Sequence, residues 1–492
     1  MNAFDRTGTA EAATSRSGIF IDNEWRPAES GKTLDLVEPA TGRPFDRIAA
    51  GNARDVDAAV AAARRAFDGA WGRIAAVDRG RLLSRLAARI REAAGDLAVL
   101  EARDTGKPLS QARADLDLSA RYFEFYGGAT DKVHGRSIPY QPGTLALTER
   151  VAHGVTGHII PWNYPAQMVG RTLAPALAMG NATVLKPAED ACLTALRLAE
   201  LARDAGFPAG AINVVPGRGE VAGAALSRHA GVDFLSFTGS PEVGTQVQVA
   251  AARRHAGCVL ELGGKSPQVV LADADLDAAV PVIVASVVQN AGQTCSAGSR
   301  VLVDAAIAGT LTERLAAAFA ALVAGPPEAD LDLGPLINLK QKRRVARFCD
   351  LASAADVPLV AEGRLDPRAD PDGFYVLPRL YGPVPRDHPM ALQEIFGPVL
   401  SLLTFTDEDD AVRLANGTEY GLVAGVWSRD GARALRIGRR IAAGQVFING
   451  YGSGGGVELP FGGVGKSGHG REKGYEALFE FSASRTIVIA HG

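Results

Sequence analysis

The sequence predicts an α/β protein whose parallel sheet is covered by helices on both faces. Short β-rich runs alternate with helical runs from about residue 150 onward, and this alternation is typical of βαβ units. The peptides PWNYP, KPAE, FTGS and ELGGK each follow a predicted strand, at the sheet edge where such folds bind ligands. A chain of 492 residues is also too long for one core, so we expect two or three domains.

The predicted elements follow in chain order. Residues 55–67 and 78–103 carry helical periodicity with Asp near each start, and residues 132–150 indicate an irregular or β-hairpin insertion. The strands predicted beyond it are Val155–Ile160, Thr183–Lys186, Ile212–Val215, Phe234–Phe237, Val259–Leu262 and Gln268–Leu271. The helices predicted between them include Leu193–Ala205, Glu220–Arg228, Val243–Ala252 and Leu276–Val288. The run Arg485–Ile489 predicts a terminal strand that needs a sheet edge, which another subunit could provide.

The composition is that of an ordinary globular protein, with 47% hydrophobic and 22% charged residues. The formal net charge of -3 gives no general attraction to nucleic acid or anionic membranes, and no apolar run is long enough to span a bilayer. Residues 1–18 are small and polar, so we expect a tail and not a secretion signal. The four cysteines form no CxxC motif, which favours a reducing, cytoplasmic setting. No metal site is predicted.

Three side chains together suggest acyl chemistry. Cys295 stands among small residues in NAGQTCSAGSR, where a thiol is reachable and backbone N–H groups can approach a reacting oxygen; the alternative is a buried inert thiol. Glu261 ends an apolar strand and suits a general base, or else a strand-end salt bridge. Asn163 lies between the two prolines of PWNYP and suits an oxyanion donor, or else a turn. A thiolate can attack a carbonyl carbon, an amide donor can stabilise the oxyanion, and a carboxylate can then activate water. The side chains supply every group for this sequence of steps except a hydride acceptor.

The sequence has no standard nucleotide fingerprint. GGVGKSG misses the first glycine of a phosphate loop because Pro460 stands there, and GRGEVAG is not GxGxxG. Lys186 and Glu189 follow a strand and could bind a ribose diol, although a surface ion pair is the simpler alternative. Gly239 and Ser240 open a helix whose N-terminus could face a pyrophosphate, although Ser240 could simply be an N-cap.

Seven ordered peptides make the chain resemble the aldehyde dehydrogenase superfamily from about Ile19 to Ile489: PWNYP, LKPAE, FTGS, LELGGKSP, GQTCSAGSR, EIFGP and PFGGVGKSGHGRE. The resemblance implies oxidation of an aldehyde to a carboxylic acid with NAD or NADP. It also implies an NAD-binding domain over 1–131 and 151–262, and a catalytic domain over 263–470. A small β extension for oligomerisation over 132–150 and 480–492 would make a homodimer or homotetramer.

The resemblance also assigns roles. Cys295 matches the nucleophile, Glu261 the base of the deacylating water, and Asn163 with the backbone N–H of Cys295 the oxyanion hole. Glu472 matches a second carboxylate often assigned to proton relay. The matching cofactor contacts are the ribose pair Lys186 and Glu189, the pyrophosphate turn Gly239 and Ser240, the nicotinamide contacts Glu394 and Phe396, and the pocket walls Ile159 and Trp162.

Two carboxylates narrow the expected chemistry. Relatives that transfer the acyl group to coenzyme A lack the counterpart of Glu261, so its presence favours hydrolysis. Glu189 on a ribose diol would repel a 2′-phosphate, which favours NAD over NADP. The alternatives are a coenzyme-A-acylating semialdehyde dehydrogenase and a catalytically silent binding paralogue, the latter disfavoured by the intact Cys295, Glu261 and Asn163.

The substrate is left open by the sequence. Many relatives carry Lys where this chain has Thr172, which leaves Glu472 without its usual partner. Succinate-semialdehyde dehydrogenases have Arg where this chain has Arg171, facing the substrate carboxylate, but their second Arg is Gln289 here. Arg171 therefore binds either an anionic substrate tail or an internal acid. The other residues expected to shape the substrate tunnel are Tyr164, Gln167, Met168 and Tyr451, so an aromatic aldehyde is also a candidate.

Overall fold

The computed structural model describes residues 18–452 and 456–492. Nearly all of the predicted polar tail, and residues 453–455 of the predicted catalytic domain, lie outside this part of the chain. The described α-helices, in chain order, are α1 Ala53–Asp68, α2 Ala76–Thr105, α3 Leu109–Gly127, α4 Pro165–Ala178, α5 Leu193–Asp204, α6 Ala224–Arg228, α7 Pro241–Ala252, α8 Leu276–Val288, α9 Ala308–Ala321, α10 Leu339–Ala354, α11 Pro389–Leu392, α12 Glu408–Ala415, α13 Gly431–Gly438 and α14 Glu476–Glu480.

The strands of the described segments follow the alternation expected of an α/β protein. They are β1 Ile19–Ile21, β2 Glu24–Arg26, β3 Thr33–Glu38, β4 Arg43–Ala49, β5 Arg136–Ile138, β6 Thr144–Ala152, β7 Val155–Ile159, β8 Ala182–Lys186, β9 Ile212–Val214, β10 Phe234–Thr238, β11 Gly257–Glu261, β12 Pro267–Val270, β13 Arg300–Asp304, β14 Val323–Ala324, β15 Leu359–Glu362, β16 Arg364–Leu365, β17 Arg379–Tyr381, β18 Val399–Phe405, β19 Tyr420–Gly421, β20 Val423–Trp427, β21 Gln445–Ile448, β22 Val464–Gly465, β23 Gly468–His469 and β24 Ser482–Ala490.

The first large sheet has the strand order β2-β1-β9-β8-β7-β10-β11-β23. Its five central strands, from β9 to β11, run parallel, whereas β1, β2 and β23 are antiparallel additions at the edges. Val60 of α1, Leu83 of α2 and Leu196 of α5 share one buried core with the strand residues Val184 and Leu235. Because parallel strands end at the same edge of a sheet, Ile159, Lys186, Thr238 and Glu261 are brought side by side.

The second large sheet has the order β15-β17-β18-β13-β12-β20-β21. All of its neighbours are parallel except the edge pair β15 and β17. Consecutive residues of β12 enter two different cores: Val269 packs in one cluster and Val270 in the other. Both faces are therefore buried, as parallel sheets require, and the predicted α/β class with doubly covered parallel sheet is confirmed.

Short connections between the sheets position the site. The segment from Leu262 to Ser266 leads directly from β11 to β12. Much later the chain returns to the first sheet, where β23 pairs with Leu260 and Glu261 of β11. This return places the segment around Glu472 beside the end of the strand that carries Glu261. The domain limits drawn from the sequence stay predictions.

The predicted terminal strand is confirmed and extends over Ser482–Ala490. The sheet edge that it needs lies in the same chain, because β24 pairs antiparallel with the whole of β6, and β5 flanks β6 on the other side. One expectation about the elements was wrong. The predicted helix Glu220–Arg228 is not continuous: residues Gly219–Gly223 form one wide π-turn before α6. Glycine disfavours a regular helix, and this segment has one at each end.

Candidate active site

The site is a cavity of about 680 Å³ at the strand ends. Cys295, Asn163 and Glu261, which were singled out from the sequence, all line it. The other sequence-predicted residues in its wall are Trp162, Tyr164, Gln167, Met168, Arg171, Gly239, Ser240, Glu394 and Phe396. The predicted residues placed outside that wall are Ile159, Lys186, Glu189, Tyr451 and Glu472. Of these, Glu472 contacts the wall through Arg171. Tyr451 packs against the same small apolar cluster as Cys295 and donates to Ser296 O at 2.7 Å.

The loop that carries Cys295 has an unusual backbone. Asn290, Ala291 and Gly292 are consecutive left-handed residues, with φ of 50°, 53° and 73°. This conformation costs a non-glycine residue on the order of 1 kcal/mol or more, so the surrounding packing must hold it. At Gly292 a Cβ would lie 2.1 Å from Gly397 O. The nucleophile loop is thus pressed against the loop that carries Glu394 and Phe396.

The Cys295 side chain is partly exposed in the cavity and packs against Leu422 and Phe461. Burial of the sulfur raises the pKa of the Cys295 thiol to about 11. The Arg171 guanidinium works in the opposite direction, whereas Glu261 and Glu394 raise the pKa further. The resting nucleophile is therefore a thiol, and the nearby cation is the group that favours the reactive thiolate.

The PWNYP loop is held from below by buried polar groups. Asn163 O accepts from Lys107 Nζ at 2.9 Å and from Asn290 Nδ2 at 2.8 Å. Asn163 Nδ2 donates to Gln293 O at 2.8 Å, two residues before the nucleophile. An amide nitrogen carries two N–H groups, so this contact leaves one for a second acceptor. The loop is therefore tied to the segment that carries Cys295.

Lys107 is a site residue that the sequence gave no reason to select. Its ammonium is fully buried, lies 2.5 Å from Asp115 Oδ2 and 3.4 Å from Glu101 Oε1, and sits over the Tyr164 ring at 4.5 Å. Tyr164 in turn shares a 2.6 Å hydrogen bond with Thr294. These contacts hold Tyr164, which lines the cavity, from the side of its ring that faces Lys107.

Glu261 ends β11 in a fully buried position. Desolvation raises the pKa of its carboxyl well above the usual range, while the Arg171 guanidinium counteracts this and Glu472 adds to it. The nearest ion-pair contact of Glu261 is Arg171 Nη2 to Oε2 at 3.4 Å. A carboxyl with a raised pKa at the edge of a reaction cavity is suited to take a proton from water.

Arg171 pairs with internal acids in this structure. Its Nε lies 2.6 Å from Glu472 Oε2, and its guanidinium stacks on the Phe461 ring at 4.3 Å. Glu472 lacks the relatives' lysine, as the sequence indicated, but Arg171 serves as its cationic partner instead. Arg171 stands one residue before Thr172 on α4 and supplies the positive charge that the relatives' lysine would bring.

Lys473 and Phe461 also belong to this group, although sequence reasoning missed both. The Lys473 ammonium lies 5.1 Å from the centre of the Phe461 ring, and burial, followed by the charge of Arg171, lowers its pKa to about 7. A signal for both was present in the sequence, because Phe461 stands in the PFGG peptide that carried the family resemblance and Lys473 directly follows the GRE peptide.

The other end of the cavity offers groups for a dinucleotide. The Thr238 hydroxyl at the end of β10 is buried without a hydrogen-bond partner among the described residues, and Ser240 caps α7 by accepting from Val243 N at 3.4 Å. Glu394 accepts from Gly264 N at 2.9 Å, and burial raises its pKa to about 7. Phe396 packs edge-on to Trp162, with ring centres 5.5 Å apart.

The proposed ribose pair lies two strands away from Thr238, at the end of β8. Lys186 Nζ is 2.9 Å from Glu189 Oε2, and Gly219 N donates to Glu189 Oε1 at 3.2 Å. Burial works to raise the pKa of Glu189, but the charge and hydrogen bond of Lys186 hold it below the usual value. Glu189 is therefore ionised at neutral pH, as the argument against a 2′-phosphate requires.

A basic helix face at the cavity mouth is a further feature that was not expected. The run KQKRRVAR in α10 places four cationic side chains in the cavity wall: Lys340, Arg343, Arg344 and Arg347. Arg344 is tied to the backbone through Ile395 O at 3.2 Å. The charge run itself was the available signal, but a charge run usually marks a solvated face.

Comparison with known proteins gives consistent relatives over nearly the whole chain. The model of the aldehyde dehydrogenase family matches residues 25–487. The chain is 41% identical over 476 residues to the mitochondrial aldehyde dehydrogenase of Equus caballus, covering 96% of this chain and 94% of that protein. A crystal structure from Burkholderia cenocepacia, assigned to the aldehyde dehydrogenases, superposes with a TM-score of 0.96 at 59% identity, covering 96% and 100% of the two chains. PnpE in complex with nicotinamide adenine dinucleotide superposes at 0.94 with 39% identity, covering 97% and 98%.

Proposed function

This chain belongs to the aldehyde dehydrogenase family, and from that premise we propose that it oxidises an uncharged aldehyde to the carboxylic acid with NAD as hydride acceptor and water as acyl acceptor. The observation that carries the proposal is that Cys295, Asn163 and Glu261 line one cavity. A thiol, an amide donor and a carboxyl with a raised pKa are the groups that such a reaction needs.

Cys295 attacks the carbonyl carbon as the thiolate and forms a thiohemiacetal. The charge that develops on the former carbonyl oxygen is stabilised by the remaining N–H of Asn163 and the backbone N–H of Cys295. Because burial disfavours the thiolate, the Arg171 charge contributes to attack by lowering the cost of ionising the sulfur. The contact from Asn163 to Gln293 O fixes the distance between donor and nucleophile segments.

Glu261 completes the reaction after the thioester has formed. Its carboxylate accepts a proton from a water molecule, which then attacks the thioester carbon, and the acid leaves as Cys295 is regenerated. The raised pKa makes this carboxylate a stronger base than an exposed glutamate would be. Because Glu261 activates water as the acyl acceptor, its presence disfavours transfer of the acyl group to coenzyme A.

The cavity and the end of β8 beyond it together provide groups that fit a nicotinamide dinucleotide. The orphaned Thr238 hydroxyl and the start of α7 provide donors for a pyrophosphate, Glu394 an acceptor for a ribose, and Lys186 with Glu189 a pair for the second ribose. When bound, NAD supplies the hydride acceptor that the side chains lack. A 2′-phosphate would meet the ionised Glu189, so we propose NAD and not NADP.

The substrate tail is proposed to be uncharged. Arg171 is the cation of the inner cavity expected to meet a substrate carboxylate, and two carboxylates already share it. An anionic tail would displace one of them and leave a buried charge unpaired, which is costly. The apolar side chains of the cavity wall, including Met168 and Phe461, favour an apolar or aromatic tail.

A panel assay tests the proposed function. The protein is incubated with NAD or NADP and a set of aliphatic, aromatic and acidic aldehydes, and formation of the reduced cofactor is followed. We expect turnover with aromatic or aliphatic aldehydes, faster with NAD, and loss of acid production in Cys295→Ala. Cys258→Ala is the matched control and should keep its activity, because Cys258 lies on β11 away from the cavity.

The outcomes separate the alternatives. Turnover that requires coenzyme A would replace the hydrolytic proposal with acyl transfer, and no reduction with any aldehyde would favour a silent paralogue. Survival of acid production in Cys295→Ala would refute the thioester route.

Arg171 gives the specific prediction on substrate class. In Arg171→Met we expect kcat to fall about tenfold or more, and by a similar factor, for benzaldehyde and for succinate semialdehyde, because the variant removes the partner of Glu261 and Glu472. Arg171→Lys keeps the charge and should recover part of the rate. A KM for the semialdehyde that rises far more than the KM for benzaldehyde would show instead that Arg171 binds the substrate carboxylate.

We further propose that the chain forms a homodimer or homotetramer through the sheet β5-β6-β24. Ile138, Leu145, Val488 and Ile489 of this sheet are at least 41% exposed. Apolar side chains on a small sheet with two open edges are the features of a surface that another copy covers.

A further inference from the structure

A chain of buried hydrogen bonds leads away from Glu472 into the first sheet. Ser236 Oγ donates to Glu472 Oε1 at 3.0 Å and lies 2.8 Å from Thr172 Oγ1. Thr172 Oγ1 is 2.6 Å from His158 Nδ1, and His158 Nε2 is 2.7 Å from Thr156 Oγ1. All five side chains are buried. They come from β7, α4, β10 and the segment after β23, so the fold brings together residues that are far apart in sequence.

The number of available protons determines which atom donates in each of these hydrogen bonds. His158 is neutral because burial lowers its pKa to about 3, so one ring nitrogen donates and the other accepts. Each hydroxyl has a single proton, and Ser236 gives its own to the Glu472 carboxylate. Thr172 must therefore donate to Ser236, His158 must donate from Nδ1 to Thr172, and Thr156 must donate to His158 Nε2. Four protons serve four hydrogen bonds, and every donor points toward Glu472.

The far end of the hydrogen-bond chain shows that it does not deliver protons to Glu472. Beyond His158, the Thr156 hydroxyl can also donate to the backbone oxygen of Ala182 at 3.4 Å, but its single proton serves the much shorter 2.7 Å contact with His158 Nε2. The carbonyl oxygen of Ala182 has no proton to give. Passing a net proton to Glu472 would leave an alkoxide on Thr156. The chain is consequently an anchor for a negative charge and not a route for protons.

The anchored carboxylate acts on Arg171. Glu472 Oε2 holds Arg171 Nε at 2.6 Å, and the other end of the same planar guanidinium reaches Glu261 Oε2 at 3.4 Å. Because the guanidinium is rigid, the position of Glu472 sets how closely its charge approaches the base. A looser Glu472 would let Arg171 turn fully to Glu261 and hold that carboxylate in an ion pair.

We propose that His158, Thr172 and Ser236 are positioning residues for deacylation: their hydrogen-bond chain holds Glu472, and through Arg171 it keeps Glu261 available to activate water. Thr172, the departure from the relatives' lysine, is a working part of this arrangement, with a hydroxyl chain and a neighbouring arginine in place of the amine. The inference depends on the hydrolytic function proposed above.

The test compares variants that differ by one hydroxyl group. Thr172→Val removes the hydroxyl at nearly constant shape, Thr172→Ser keeps it, and Ser236→Ala breaks the chain one bond closer to Glu472. Thr183→Val is the matched control: Thr183 is also a buried strand threonine, but its hydroxyl donates to Ala211 O at 3.2 Å outside the chain. Reduced-cofactor formation is recorded from the first turnover onward, with saturating NAD and an aldehyde that the wild-type enzyme oxidises.

We expect Thr172→Val and Ser236→Ala to form reduced cofactor in the first turnover as fast as the wild-type enzyme but to turn over more slowly afterwards. Ser236→Ala should lower the steady rate about tenfold, the factor of one lost hydrogen bond to a charged group, and Thr172→Val about fivefold, the factor of one lost hydrogen bond between neutral groups. Thr172→Ser and Thr183→Val should behave like wild type. Steady rates unchanged in both disrupting variants, or the first-turnover rate and the steady rate falling together, would overturn the inference. If Thr172→Val fails to fold, the comparison of Ser236→Ala with Thr172→Ser decides.

A double variant tests whether the chain acts through Arg171. Adding Ser236→Ala to Arg171→Met should cost no further activity, because the linking guanidinium is gone; a full additional tenfold loss would contradict the proposed route. Absence of turnover in the wild-type protein would instead refute the proposed function, and the two failures are distinguishable.

Discussion

At the level of single residues, burial and the charge of Arg171 act in opposite directions on the pKa of Cys295. Burial raises the pKa of Cys295, and the Arg171 charge is the main influence that lowers it. Arg171 is also engaged by Glu261 and Glu472, so each carboxylate competes with the thiolate for one positive charge. A resting thiol protects Cys295 from oxidation, because the thiolate is the reactive form.

This arrangement predicts the pH dependence of alkylation. In the protein without cofactor, the rate of Cys295 modification by iodoacetamide should rise about tenfold per pH unit from about pH 7 to about pH 10, because the thiolate fraction does so below a pKa of about 11. In Arg171→Met the rates should be lower at every pH. Peptide mass spectrometry separates Cys295 from the other cysteines, and a plateau below about pH 9 would contradict the raised pKa.

The reacting residues could be selected from sequence, whereas their partners could not. Cys295, Glu261 and Asn163 lie in short peptides whose composition indicates chemistry. Lys107 and His158 act through contacts with residues far along the chain, and no local pattern records such contacts. Arg171 shows the intermediate case: its alternatives could be stated from sequence, but only the position of Glu472 distinguishes them.

At the level of elements, the site depends on two loops pressed together. The left-handed turn Asn290–Gly292 precedes the nucleophile, and Gly292 meets the backbone of Gly397 in the loop that carries Glu394 and Phe396. The predicted helices that correspond to α5, α7 and α8 agree with the structure within a few residues, and α8 matches its predicted limits. The helices α4 and α10, which line the cavity, were not among those named from the sequence. The turn was not predictable, because Asn and Ala do not by themselves indicate consecutive left-handed residues.

Gly292→Ala should therefore separate the two loops. Its Cβ would lie 2.1 Å from a backbone oxygen at a φ of 73°, and neither constraint can relax without moving Cys295. We expect kcat/KM to fall about 100-fold, the effect of a shift of roughly 1 Å at a reacting group. Gly309→Ala is the control, because that helical glycine has nothing within 4 Å and alanine there should stabilise by roughly 0.5–1 kcal/mol. Equal activity of the two variants would show that the loops tolerate separation.

At the level of the whole molecule, two large sheets are joined at the site and a third, small sheet stands apart. The alternation of strands and helices predicted the five parallel strands of the first sheet, because βαβ periodicity is local, but of the second sheet it predicted only β12. The pairing of β24 with β6 was not predictable, since it joins segments more than 300 residues apart in sequence. Among the described residues, no helix is long and apolar enough to cross a membrane.

The small sheet gives a prediction about assembly. Val488→Lys places a charge on a side chain that is 55% exposed, and we expect it to lower the mass of the particle measured by size-exclusion chromatography with light scattering. Val77→Lys is the control, because Val77 is 44% exposed but lies on α2, outside that sheet. An unchanged mass in Val488→Lys would place the interface elsewhere.

The late position of several site residues has a consequence for biosynthesis. A growing chain that has already produced Cys295, Asn163 and Arg171 still lacks Phe461, against which Cys295 packs, and Glu472, which holds Arg171. The strand β6 likewise keeps an open edge until residues 482–490 have been made. We therefore expect the site to be incomplete in the nascent polypeptide, and a prematurely terminated product to expose both an unpaired strand and an unsupported thiol. Synthesis order alone delays activity until folding is nearly finished.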